Sequence, residues 1–125
     1  MEILIVDDEP IFLMMHGKII EKIGLGLPAK TFLSGEELIF FLVNNNNENK
    51  KYLIFCDIFM YPMDAWDILA YLETANLLCE IKIIIVTSSV DRIEMEKSKN
   101  FSNVVDFLIK PINQDLVKEI IENAF

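Results

Sequence analysis

Apolar and polar positions fall in blocks along the chain, and the blocks read as five short strands, each followed by a helix. Residues 2–6, EILIV, form an apolar run too short for a helix and rich in β-branched side chains. The run stops at Asp7 and Asp8. Pro10 stands where the first turn of a helix tolerates proline. Phe12, Met15, Ile19 and Ile23 recur at steps of three and four, the spacing of one helical face, and Gly24 and Gly26 close the segment. Residues 29–33, AKTFL, predict a weaker strand. Ser34 and Glu37 make a capping-box pair in front of LIFFLV, so a helix is predicted to about Val43. The polar run NNNNENKK, residues 44–51, reads as a loop.

The second half repeats the pattern. YLIFC, residues 52–56, predicts a strand that ends at Asp57. Asp64 with Asp67 is a helix start, and Trp66, Leu69, Ala70 and Leu72 carry that helix to about Leu78. IKIIIV, residues 81–86, is the strongest strand and ends at Thr87, Ser88 and Ser89. Asp91 with Glu94 opens a short charged helix to about Lys99. VVDFLI, residues 104–109, is a fifth strand, followed by Lys110 and Pro111. Asn113 caps a last helix with Leu116, Val117, Ile120, Ile121 and Ala124 on its apolar face. Strands alternating with helices imply an α/β fold, doubly wound in three layers, with parallel strands covered on both faces.

Composition narrows the function classes. The chain has 125 residues, the size of one domain, with no linker-like break and no internal repeat. Its net charge of −9 argues against direct nucleic-acid binding, which needs a basic patch. Cys56 and Cys79 lack a C-x-x-C spacing and read as reduced thiols of a cytoplasmic protein. No apolar run approaches the roughly 18–20 residues of a membrane span. MEILIVDDEP has no basic region of a targeting segment.

The candidate chemistry lies at the carboxyl ends of the strands. Asp7 and Asp8 come after the first strand, Asp57 after the third, Thr87 and Ser88 after the fourth, and Lys110 after the fifth. In open α/β sheets ligands bind at this carboxyl edge. Singly, each residue reads as a cap or a loop group; together on one edge they read as a site. Carboxylates gathered in a cleft repel each other, and a hard divalent cation relieves that. A lysine ammonium and a threonine hydroxyl suit phosphate oxygens. An aspartate nucleophile with these neighbours makes a phosphoryl-transfer set.

These residues resemble the response-regulator receiver domain of two-component signalling, of the chemotaxis-regulator type. The resemblance covers the chain, 1–125, as a single receiver domain with no output domain visible. It rests on Asp7-Asp8, Asp57, Thr87 and Lys110-Pro111, with Met63 and Asp64 at the family's M-D-G position. It implies a flavodoxin-like (βα)5 fold with a five-stranded parallel sheet of order 2-1-3-4-5. It implies that Asp57 accepts a phosphoryl group from a sensor histidine kinase or phosphotransfer protein. Asp7, Asp8, Asp57 and the Phe59 carbonyl would hold Mg²⁺, with Mn²⁺ as a substitute. Thr87 and Lys110 would bind phosphoryl oxygens, Thr87 and Phe107 would form the switch, and the Lys110–Pro111 bond would be cis. A phosphorylated chain would present helix 91–99, strand 104–109 and helix 113–124 to a downstream protein. It would act as a monomer or a weak phosphorylation-dependent dimer, catalysing only its own phosphorylation and dephosphorylation.

The segment after Asp57 departs from the family pattern D-x-x-M-P-x-M-D-G. Here it reads DIFMYPMDA, with Tyr61 in the proline's place, Pro62 one position later and Ala65 for glycine. An altered loop course is expected, with strain if position 65 requires a positive φ. Phe59 stands where small or polar residues are usual, and its ring would shield the phosphoryl group from water. Phe107 replaces the more usual tyrosine, with plain core packing as the alternative role. His16, the sole histidine, reads as a surface or packing residue. Competing functions are a degenerate receiver acting without phosphorylation and an aspartate-nucleophile phosphohydrolase. The latter would want an acid/base aspartate where Phe59 stands. A flavin-mononucleotide binder is disfavoured because DDEP would repel the phosphate.

Overall fold

The structure, a computed structural model, describes residues 1–26, 28–88 and 91–125. Ser89, grouped by sequence with the hydroxyls after the fourth strand, lies outside the described residues. The strands are β1 (Glu2–Val6), β2 (Ala29–Phe32), β3 (Lys51–Asp57), β4 (Glu80–Thr87) and β5 (Val104–Ile109). The helices are α1 (Pro10–Ile23), α2 (Gly35–Asn44), α3 (Ala65–Ala75), α4 (Arg92–Ser98) and α5 (Gln114–Glu122). The strands form one parallel sheet in the order β2-β1-β3-β4-β5, as the resemblance implied.

Side-chain alternation splits the apolar strands between two cores. Leu4, Val6, Ile54, Cys56, Ile83 and Ile85 pack with Leu38 and Leu42 of α2 and with Trp66, Ile68 and Leu69 of α3. Ile3, Ile5, Leu53, Phe55, Ile84 and Val86 face the other way, against Leu13 and Ile20 of α1 and Val117 and Ile121 of α5. Both faces of β1, β3 and β4 are therefore dry, which explains their unbroken apolar runs. β5 lies at the sheet edge, and of its residues only Leu108 is buried.

The helix starts follow the sequence. Ser34, Asp64, Asp91 and Asn113 each accept a backbone N–H of the first turn through the side chain. Asp64 and Asp67 form a reciprocal capping box. At α2 the reciprocal bond reaches one residue further back: the Glu37 carboxylate accepts from the N–H of Leu33, not of Ser34.

Three local expectations are corrected. The buried row of α1 is Leu13, His16 and Ile20; Phe12, Ile19 and Ile23 flank it half-buried, and Met15 is exposed. α1 packs against the sheet and also against α5, so its apolar stripe is wider than one row and its centre is shifted. α3 ends at Ala75 with Asn76 in a left-handed cap (φ 49°), short of Leu78. Cys79 thus lies in the following connection, where Asn46 of the asparagine loop accepts the N–H groups of Leu78 and Cys79. Ala65 opens α3 with helical backbone, fully buried, so the missing glycine brings no strain.

Candidate functional site

Strand register brings the acidic residues together. Val6 pairs with Cys56 across β1 and β3, so Asp7 and Asp57 emerge side by side at the carboxyl edge. Adjacent strands are about 4.8 Å apart, within reach of two short carboxylates. One oxygen from each of Asp7, Asp8 and Asp57 lies within 4.8 Å of the others. Asp7 and Asp57 are buried and Asp8 is exposed, so the cluster opens to solvent on the Asp8 side.

Lys110 enters from the end of β5. Its backbone N–H donates to the Thr87 carbonyl at 2.8 Å, which fixes the strand end against β4. Its Nζ donates to Asp7 Oδ2 at 2.8 Å and lies 3.3 Å from Asp57 Oδ1, with the side chain only 4% exposed. The other Asp7 oxygen accepts the Glu9 N–H at 2.9 Å, which orients the carboxylate before α1 begins. The Lys110–Pro111 bond is cis. Thr87 is fully buried at the end of β4.

The electrostatics follow from this packing. Burial, then the neighbouring Asp7 charge, push the Asp57 carboxyl up to about 6; Lys110 opposes the shift and Asp8 adds to it. Burial works against the Lys110 ammonium, but the hydrogen bond to Asp7 and the charge of Asp57 outweigh it and raise its pKa. With all three carboxylates ionised, a single ammonium leaves a formal charge of −2 in the cluster. That deficit and the all-oxygen donor set fit one divalent hard cation.

Phe59 follows the buried Ile58 and is 56% exposed. Phe107 is half-buried on β5, paired with Ile85, and packs against the core shared by α2 and α3. The altered loop 58–65 carries a second cis bond, Tyr61–Pro62, and Tyr61 is exposed. It closes with the Ala65 N–H donating to the Ile58 carbonyl at 3.1 Å. Nothing in the periodicity announced His16: it is 2% exposed, its pKa is lowered by burial and by Lys110, and its Nε2 has no hydrogen-bond partner. Among the described residues no helix is long and apolar enough to cross a membrane.

A parallel sheet of order 2-1-3-4-5 with carboxylates and a lysine at its switch-point edge defines a flavodoxin-like α/β protein of the receiver type. The chain belongs to the response regulator receiver domain family, whose model matches residues 3–122. A response regulator receiver protein from Dyadobacter fermentans superposes with a TM-score of 0.83 at 21% identity, over 97% of this chain and 94% of that one. The N-terminal domain of a receiver protein from Methanoculleus marisnigri shares 27% identity with a TM-score of 0.71, over 99% and 95% of the two chains. A Vibrio cholerae chemotaxis protein matches at 16% identity with a TM-score of 0.76, over 99% and 98%. No curated protein matches the chain significantly. Receiver domains are signalling domains of two-component systems and generally not classical enzymes. They interact with histidine kinases or phosphotransfer proteins and generally bind Mg²⁺ in an acidic pocket.

Proposed function

We propose that this chain is a phosphorylation-controlled interaction module of the cytoplasm, with Asp57 as the phosphoacceptor. The observation that carries the reading is the buried Asp57 carboxylate at the end of β3, which shares the Lys110 ammonium with Asp7. One Asp57 oxygen attacks the phosphorus of a phosphohistidine on a kinase or phosphotransfer protein. A phosphorus–oxygen bond forms, the phosphorus–nitrogen bond breaks, and the imidazole leaves with a proton. Lys110 and Thr87 receive the phosphoryl oxygens. Asp7, Asp8, Asp57 and the Phe59 carbonyl would hold Mg²⁺ or Mn²⁺, which supplies charge neutralisation when bound.

Phosphorylation adds about −1.5 to −2 charge at the cleft. Thr87 is drawn toward it, and Phe107 turns into the space behind. The surface that would read this change is α4, β5 and α5. It already presents Ile93, Val105, Ile109 and Leu116 to solvent, a set of apolar side chains suited to a protein partner. Acetyl phosphate with Mg²⁺ should label the wild-type protein, and Asp57→Asn should abolish the label. Persistent labelling of that variant would show the nucleophile to be misassigned.

A further inference from the structure

The Lys110 ammonium has a third neighbour besides its two carboxylates. Its Nζ lies 3.9 Å from the centroid of the Phe12 ring, on α1. Asp7 and Asp57 hold it through oxygen, and the aromatic face holds it through the ring's negative quadrupole. Phe12 is half-buried and leans on His16, ring centroids 5.8 Å apart and planes tilted by 37°. His16 is buried beneath it, so the Phe12 ring has firm backing on the side of the helix core.

We propose that Phe12 is a positioning residue for phosphoryl acceptance, its ring face seating the Lys110 ammonium beside Asp57. The proposal rests on Asp57 being the phosphoacceptor. A lysine side chain is long and rich in rotamers, so a charge that must meet an incoming phosphoryl group gains from being held in advance. Carboxylates alone are an imperfect holder, because phosphoryl oxygens and a metal ion compete for the same contacts. The ring has no lone pair to surrender and no oxygen to compete. The ammonium can therefore exchange Asp57 oxygen for phosphoryl oxygen without leaving its seat. An aliphatic side chain of similar size fills the space but offers no such attraction.

Two readouts on Phe12→Leu and Phe12→Tyr test this. The first is proton NMR of the Lys110 side chain in the metal-free protein. Wild type and Phe12→Tyr should show Lys110 methylene resonances moved upfield by the ring current, and Phe12→Leu should return them to ordinary lysine positions. The second is affinity for beryllofluoride with Mg²⁺. Phe12→Leu should weaken it roughly tenfold, about 1.4 kcal/mol, and Phe12→Tyr should restore it. Thermal melts establish that each variant is folded, and Phe12→Met replaces Phe12→Leu if the latter is not. Unshifted Lys110 resonances in wild type, or wild-type affinity in the aliphatic variant, overturn the seat. So does a folded Phe12→Tyr that behaves like Phe12→Leu. If wild type itself takes up no beryllofluoride, the phosphoacceptor reading fails, and the ring-current comparison alone decides the seat.

Discussion

The indole N–H of Trp66, in the first turn of α3, donates to the Glu94 carboxylate of α4 at 2.7 Å. Phe101 stacks on the same indole, ring centroids 6.0 Å apart, and the Lys97 ammonium lies 5.1 Å from its centroid. Trp66 follows directly on the loop that leaves Asp57. It therefore joins the proposed phosphorylation site to the helix expected to change on phosphorylation.

Trp66 is the only tryptophan, so its emission reports this contact without interference. Glu94→Ala should shift the emission and cost about 1.5 kcal/mol, the scale of a partly buried hydrogen bond to a charged acceptor. Beryllofluoride with Mg²⁺ should change the emission of wild type and leave that of Asp57→Asn unaltered. A titration followed at fixed pH and ionic strength checks both.

Asp57 makes the metal-free protein less stable as pH rises. Its carboxyl is raised from 3.8 to about 6 by burial and by Asp7, so between those values the folded state binds more protons than the unfolded one. Stability then falls with rising pH across that window, by at most about 3 kcal/mol, and is level above it. His16 acts in the opposite sense. Its lowered pKa means that stability is lost as pH falls below 6.5. Denaturant unfolding in chelator should therefore be compared between wild type and Asp57→Asn, which share His16. The variant should be the more stable protein at pH 7, and the difference should shrink toward pH 4.

Most of this arrangement was legible because strand ends are local features. Asp7, Asp57 and Lys110 each terminate an apolar run, and parallel strands bring such ends to one edge. The order of the strands was not in the periodicity and came with the family resemblance. The α1 register is not fixed by periodicity, because Phe12 and Met15 are as apolar as Leu13 and only packing against the sheet and α5 separates them. The Phe12–Lys110 and Trp66–Glu94 contacts join residues far apart in the chain, and no spacing rule marks them. The cis Tyr61–Pro62 bond was likewise invisible, although the displaced proline pointed to an altered loop.

Lys110 should matter to folding as well as to phosphoryl binding. It is the cation between Asp7 and Asp57, and all three side chains are nearly inaccessible. Removing one partner of a buried charge group leaves the others unpaired, at a cost of about 3–5 kcal/mol. Lys110→Ala should show a loss of that order at pH 7 in chelator. The loss should be smaller near pH 5, where Asp57 is largely protonated. In wild type the raised lysine pKa places its contribution fully below pH 10.5, to be lost only above it. An equal loss for Lys110→Ala at both acidic and neutral pH would show that the charges are not what Lys110 holds.

The phosphorylated protein should be long-lived, and Phe59 is the reason. Hydrolysis of an acyl phosphate needs a water approaching in line with the phosphorus–oxygen bond. Phe59 stands two residues beyond Asp57 and follows Ile58, which is fully buried and anchors the loop. Phe59 is 56% exposed, so it has apolar surface to lay over a phosphoryl group. A polar side chain in that place would admit or orient water. Radiolabel on wild type should therefore decay far more slowly than on a scale of seconds, and Phe59→Asn should shorten the half-life. The backbone carbonyl of residue 59 is unchanged by that substitution, so the Mg²⁺ requirement for labelling should be the same in both proteins. A wild-type half-life of seconds that Phe59→Asn leaves unaltered would rule out shielding by the ring.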